Sequence, residues 1–402
     1  MHQPVLFFLQ SEVLFDYTVI HVSEIKLIQN SNQPKVKNPK DKIKQGRKSW
    51  QKRSEINLDV VYFNYKDVQD LSSLNEVYIW DLDKTYLDTS VDSLKGLFMT
   101  IFEKSFSKKN MPGASALLRS LARYRRKHFS DPEFPLFFVS ASPPQMESKI
   151  YEKFTIDEID PLGMFYKDNL RNLRPSRFTF LRNQIGYKIQ ALLQLRVDLS
   201  PQVKMLCFGD DSESDVVIYN LFSDICARRM TPVQLSKVLE KFAINTMQIE
   251  EIIRLQDLVP VQDPVEKIYI NLATDTDPEY YGQFGRRTLA TYDSFQLALD
   301  FVQDQRLSLE ELSQIIIDLK TKYNYGEAQI LRNFEDLIRR RVLGISSYEM
   351  IRNYLMEKNF IHNSWTSRIE PMREKTVENG HVYELEGIYD PWIQAEIDYL
   401  SQ

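Results

Sequence analysis

The sequence predicts an α/β domain built on a parallel sheet, and three observations carry that prediction. From Val77 onward, short apolar runs alternate with segments of helical period, as strand–helix units do. Three of the apolar runs end in acids or serines, at Asp81/Asp83, Ser140/Ser142 and Asp210/Asp211. In an open parallel sheet all such ends lie on one edge, where ligands bind at a topological switch point. The hydrophobic fraction of 43% and aromatic fraction of 12% supply a real core.

The elements follow in order. "VYIW" (77–80) is a buried-strand run, and "DSLKGLFMTIFEKSF" (92–106) places Leu94, Leu97, Phe98, Ile101 and Phe102 at helix spacing. "MPGASALLRSLARYRR" starts at Pro-Gly and carries a second helical stripe. "PLFFVSASPP" (135–144) is a strand that stops in small polar residues and prolines. A helix in "ESKIYEKFTI", a short strand in "DPLGMFYKD", a helix in "GYKIQALLQL" and a strand in "VKMLCFGDDSESD" come next. Helical sequence at 231–257, a strand "KIYINLA" (267–273) and a helix "YDSFQLALDFVQD" (292–304) close the domain. Beyond it, "SLEELSQIIIDLKTKY" opens with Ser308 and Glu311 in capping-box spacing, and "SSYEMIRNYLMEKNF" repeats the pattern with Ser346 and Glu349. Between them "EAQILRNFEDLIRRRVL" is also helical, and the tail to Gln402 reads as irregular.

These boundaries divide the chain into an N-terminal extension (1–74), an α/β domain (75–305) and a helical C-terminal region with a tail (306–402). Residues 1–28 have room for one or two strands. Residues 35–53 form a basic linker that holds Lys35, Lys37, Lys40, Lys42, Lys44, Arg47, Lys48, Lys52 and Arg53. Such a run is ordinarily a solvated connector; its sharper reading is a peripheral tether to an anionic membrane. The net charge of -5 argues against nucleic acid as a partner of the whole chain. Cys207 and Cys226 lack metal-ligand spacing and suit a reducing compartment. No apolar run is long enough to span a bilayer, and the hydrophobic start, broken by Glu12 and Asp16, lacks the basic region of a signal peptide. A soluble, cytoplasmic protein is the expectation.

The acids at the strand ends have a coherent chemistry. Two close carboxylates disfavour each other's ionised form unless a counter-charge joins them. Asp81 can attack phosphorus and form an aspartyl-phosphate. Asp83 can protonate the leaving oxygen and later deprotonate the attacking water. A hard cation, Mg²⁺, fits between Asp81, the backbone carbonyl of Asp83 and Asp210. Ser140 and Lys188 can hold the phosphoryl oxygens, with Lys167 in "FYKD" as a rival lysine. The five histidines are scattered and match no ligand spacing.

At this point the sequence resembles the haloacid dehalogenase (HAD) superfamily of phosphatases. "WDLDKT" looks like its first motif, with Thr85 closing the loop, "FFVS" like its second, Lys188 like its third and "GDDSESD" like its fourth. The segments between Asp83, Ser140 and Lys188 are each about 50 residues, which core helices can fill without a large cap.

"MPGASALLRSL", "PLFFVSASPPQM", "DPLGMFYKD" and "CFGDDSESDVVIYNLF" are together similar to the catalytic domain of the actin-patch-associated phosphatidate phosphatases. That resemblance covers roughly residues 75–300. It implies Mg²⁺-dependent release of phosphate from phosphatidate or a related phospholipid. It implies Asp81 and Asp83 as catalytic residues and Thr85, Ser140, Ser142 and Lys188 around the phosphate. Asp81, Asp83, Asp210 and Asp215 would surround the metal, with Asp211 the alternative to Asp215. Two departures stand out: Pro144 where an aromatic is common, and Asp211 where a serine is usual. The competing functions are a non-catalytic lipid-binding relative, which would be expected to lose one of the two aspartates kept here, and a phosphatase of nucleic-acid ends, suggested by the basic linker.

Overall fold

The computed structural model describes residues 50–66, 71–88, 110–129, 133–168, 184–212, 214–273 and 276–370, and most of 375–401. Residues 1–28, residues 35–49 of the linker and the helix expected at 92–106 lie outside the described residues. Lys48–Gln402 is one compact unit.

Eight strands form one sheet: β1 (Glu55–Asn57), β2 (Val60–Asn64), β3 (Glu76–Asp81), β4 (Leu136–Ser140), β5 (Gly163–Lys167), β6 (Lys204–Asp210), β7 (Val265–Asn271) and β8 (Thr288–Thr291). Their order is β1-β2-β5-β4-β3-β6-β7-β8. The six strands from β5 to β8 in that order are parallel, and β2 joins β5 antiparallel. The apolar runs read as strands are therefore strands, with β3 at the centre between β4 and β6.

The helices are α1 (Ala114–His128), α2 (Glu147–Ile156), α3 (Ile185–Val197), α4 (Asp215–Cys226), α5 (Pro232–Lys241), α6 (Thr246–Leu258), α7 (Ser294–Gln303), α8 (Leu309–Tyr323), α9 (Glu327–Arg339) and α10 (Ile345–Glu357). They cover both faces of the sheet, as a parallel sheet requires. Alternation along β3 shows the division: Tyr78 and Trp80 enter one apolar cluster with α1, α2 and α7–α10, and Val77 and Ile79 enter the other with α3–α6. Neither face of this strand is left to water, so its sequence is a continuous apolar run.

Several findings differ from the reading of the sequence, among them strand β8, which it did not name, and hairpins in the tail, which it read as irregular. First, residues 55–64, assigned above to the N-terminal extension, add β1 and β2 to the sheet. Val61 and Phe63 pack on one face, and Tyr62 stacks on Phe165 with ring centres 4.5 Å apart. The hairpin turn escaped notice because it places Leu58 at φ 53° instead of using Asn or Gly. Second, α10 begins at Ile345 with Gly344 as its N-cap, so Ser346 lies inside the helix and caps nothing. The Ser308 cap holds, its side chain accepting from the Glu311 amide at 3.3 Å.

The tail carries two short hairpins, Lys375–Val377 with Gly380–Val382 and Glu384–Leu385 with Ile388–Tyr389. It then returns to the sheet: Arg287 N–H donates to the Trp392 carbonyl at 3.0 Å, and buried Tyr399 donates to Asp224 at 2.6 Å. Among the described residues, no helix is long and apolar enough to cross a membrane.

The C-terminal helices share the sheet's own core. Leu312, Ile315, Ile316 and Leu319 of α8, at helical spacing, are fully buried in the cluster that contains Tyr78 and Trp80. Arg306, just before α8, pairs with Glu76 at the start of β3 at 3.1 Å, and Arg125 of α1 shares that carboxylate at 2.6 Å. Ile316→Ala is therefore expected to cost about 2–5 kcal/mol. Urea unfolding followed by both tryptophan fluorescence and circular dichroism is expected to show that loss in a single shared transition.

Candidate active site

β3 runs in the core until Asp81 and then turns sharply at the sheet edge. The turn is closed by Lys84 N–H to the Leu87 carbonyl at 2.8 Å and by Tyr86 and Leu87 N–H groups to Leu82 at 3.1 and 2.9 Å. It presents Asp81, buried at 1% exposure, and the partly exposed Asp83 in succession. Beside it, β4 ends at Ser140, whose hydroxyl makes a long 3.5 Å hydrogen bond to the Asp83 carboxylate. The same hydroxyl accepts from the Ser142 amide at 3.0 Å, which turns the chain after the strand.

Lys188 sits in the first turn of α3 and is 1% exposed. Its ammonium pairs with Asp81 at 2.8 Å and with Asp215 at 2.5 Å. Asp215 is the first residue of α4, where the helix N-terminus favours negative charge, and its second oxygen accepts from the Asp210 amide at 3.3 Å. Asp210 in turn accepts from the Ser212 amide and hydroxyl. Gly209 makes this possible: a Cβ there would overlap the Asp215 carboxyl.

Asp81, Asp210 and Asp215 thus each bring a carboxylate oxygen within 4.8 Å of the others, all three residues buried. Three buried carboxylates and an ammonium meet here, and charges buried at this range hold only against charges of opposite sign. All-oxygen donors of this sort suit a hard divalent cation. The donor set fits Mg²⁺.

The structure brings most of the predicted residues together. Lys188 is in contact with the acids. Lys167, at the end of β5, lies near Asp59, whose carboxyl is pushed above its ordinary range by burial and pulled back in part by Lys167. Asp215 joins the acid group, and Asp211 turns away to accept from the Ala273 amide at 2.8 Å and from the Thr276 hydroxyl. The Asp83 carboxylate stands next to Ser140, outside the three-acid group. The Ser142 and Thr85 hydroxyls are buried and make no hydrogen bond within the described residues. Thr85 also lines a small cavity with Trp80, Gly209 and Asn271, which none of Asp81, Asp210 and Asp215 reaches.

The sequence reading missed Tyr187. Its hydroxyl donates to the Ser140 carbonyl at 2.8 Å, tying α3 to the end of β4 next to Lys188. Burial pushes that phenol well above its usual range, so it remains a donor. A tyrosine inside an apolar helix gave no signal beyond core packing.

With the four motifs converging on one edge, the comparison with known families becomes specific. Residues 77–235 match the family described as phosphatidate phosphatase APP1, catalytic domain. That family is HAD-like, as the motifs implied. No curated protein and no solved structure matches the chain. The matched segment of this APP1-like domain contains every residue of the acid cluster, together with Ser140, Ser142 and Lys188. It stops before β7, β8 and α7, which complete the sheet and its outer face.

Gly209→Ala tests the packing of the cluster. The added methyl must displace Asp215, and a loss of about 1–3 kcal/mol in denaturant titration is expected. Mg²⁺ added to the chelator-treated protein is expected to raise the melting temperature of the wild type, and to raise it less or not at all in the variant.

Proposed function

We propose that the chain is a Mg²⁺-dependent phosphomonoester hydrolase that works through an aspartyl-phosphate, with phosphatidate or a related phospholipid as substrate. The observation that carries this reading is the pairing of one buried lysine with both Asp81 and Asp215, next to Asp83 and Ser140. The APP1-type match over these residues supports the lipid substrate.

In the first step an Asp81 carboxylate oxygen attacks phosphorus, and the bond from phosphorus to the substrate alcohol breaks. The departing oxygen takes its proton from Asp83. In the second step Asp83 removes a proton from water, whose oxygen attacks the same phosphorus. The Asp81–phosphorus bond breaks, phosphate leaves, and Asp81 returns as a carboxylate. Lys188 and the hydroxyls of Ser140, Ser142 and Thr85 bind the phosphoryl oxygens as charge builds on them. Asp81, Asp210, Asp215 and the Asp83 carbonyl would hold Mg²⁺, which supplies neutralising charge and orients the phosphoryl group. Peripheral contact of the 35–53 segment with anionic lipid, in the cytoplasm, would bring the enzyme to such a substrate.

Phosphate release with Mg²⁺ is the direct test, on a panel of phosphatidate in vesicles, an aryl phosphate, sugar phosphates and a 5′-phosphorylated oligonucleotide. Phosphatidate is expected to be turned over fastest. Asp83→Asn should lower turnover about 10²- to 10⁴-fold, and Asp81→Asn should abolish it. Turnover that survives Asp81→Asn, or no turnover on any panel member, would sink this reading.

A further inference from the structure

We propose that Asn271 is a positioning residue for Asp83, holding the turn after β3 in the strained conformation that keeps the Asp83 carboxylate at the site. This rests on the phosphotransfer reading above. Asn271 ends β7, two strands away from β3 and beyond the APP1-type segment. It stands opposite Asp210 in the β6–β7 ladder. From there its side-chain amide donates to the Lys84 carbonyl at 3.1 Å.

Lys84 is the residue that needs holding. Its φ of 56° lies in the left-handed region, which a side chain with a Cβ disfavours. Its N–H is tied within the turn to Leu87, and its carbonyl is tied from outside by Asn271. Both peptide groups flanking this backbone angle pair are therefore fixed. Asp83 is the preceding residue, so a rotation at Lys84 moves its carboxylate away from Ser140.

Asp211 explains why Asn271 can act as a strut. Its N–H donates to the Asn271 carbonyl at 3.1 Å, and its carboxylate accepts from Ala273 and Thr276 two and five residues on. The acid that stands where a serine is usual pins the end of β7, from which Asn271 reaches the first motif. The first and fourth motifs are thus braced against each other by a strand that neither motif contains.

The test compares wild type with Asn271→Ala and with Asn271→Asp, which keeps the shape but presents no donor once ionised. On the best substrate of the panel, kcat is expected to fall about 10- to 100-fold in both, as for a misplaced catalytic group. KM should stay within about twofold, because ground-state phosphate binding is left in place. Adding Lys84→Gly to Asn271→Ala removes the penalty on the left-handed turn and should recover about fivefold in kcat. Crystal structures of wild type and Asn271→Ala give a readout that needs no turnover: Lys84 should leave positive φ, or Asp83 should move off Ser140, in the variant. An unchanged turn would overturn the proposal, as would a variant that loses thermal stability while its folded fraction keeps full kcat, or a double variant no faster than Asn271→Ala. If wild type turns over nothing, the phosphotransfer reading fails, and the two crystal structures still decide what Asn271 does.

Discussion

The buried ammonium of Lys188 is the contact on which the arrangement depends. Two carboxylates from opposite ends of the matched segment, Asp81 and Asp215, approach it within 2.8 Å at almost no solvent exposure. Taking any one of these charges out of water costs several kcal/mol, and removing one member of such a pair typically destabilises by about 3–5 kcal/mol. The charges therefore constrain one another: α3 must present its first turn, α4 must start one residue past Ser214, and β6 must carry glycine at 209. A local change at any of these three points disturbs a buried ion pair. The oxygen donors gathered there are of the kind a hard cation prefers.

The sheet supplies the geometry for this by separating two faces. Asp81 follows Val77 and Ile79 in alternation, toward the side covered by α3–α6, and its charge is answered from that side by Lys188 of α3. Trp80 points the other way and stacks on Phe208 with ring centres 4.5 Å apart, in the layer that α7–α10 complete. The strand that delivers the candidate nucleophile is thus clamped between aromatic packing on one face and charge pairing on the other. From Phe208 the aromatic stack continues through Tyr269 to Phe301 of α7. That packing fixes the height at which β3 emerges at the edge.

Much of the site was legible in the sequence because it sits where buried strands stop. An apolar run that ends in acids shows itself without knowledge of its neighbours, and Asp81, Ser140 and Asp210 were found in this way. Lys188 could be read as a helix-start lysine, but its rival Lys167 also follows an apolar run. What singles out Lys188 is its pairing with Asp81 and Asp215, which no local pattern announces. Asp211 against Asp215 could not be settled from composition, since the choice depends on which carboxylate a helix start turns inward and which one closes the loop after β7. The β1–β2 hairpin was missed for a local reason, a turn built on Leu58 and Asp59. Tyr187 was missed for a long-range one, since its partner is a carbonyl 47 residues away.

The long-range contacts also set how far the site extends. The turn after β3 rests on the face of the sheet where the C-terminal helices stack, outside the APP1-type segment. Tyr86, in that turn, accepts at its carbonyl from the Met111 amide at 2.9 Å, and Pro112 accepts from the Ser294 hydroxyl at the start of α7 at 2.9 Å. Gly113, at φ 77°, gives the chain the close approach it needs there, because a Cβ would press on Ser294 and on Leu319 of α8. The loop that carries Asp83 is therefore seated on a chain of contacts that ends in α7 and α8. A catalytic acid must hold its place to well under an ångström to be useful, whereas a phosphate-binding lysine tolerates more. The C-terminal helices thus have a physical reason to be packed on the sheet: the ion pairs of Lys188 lie within the matched segment, and the turn that carries Asp83 is seated on residues beyond it.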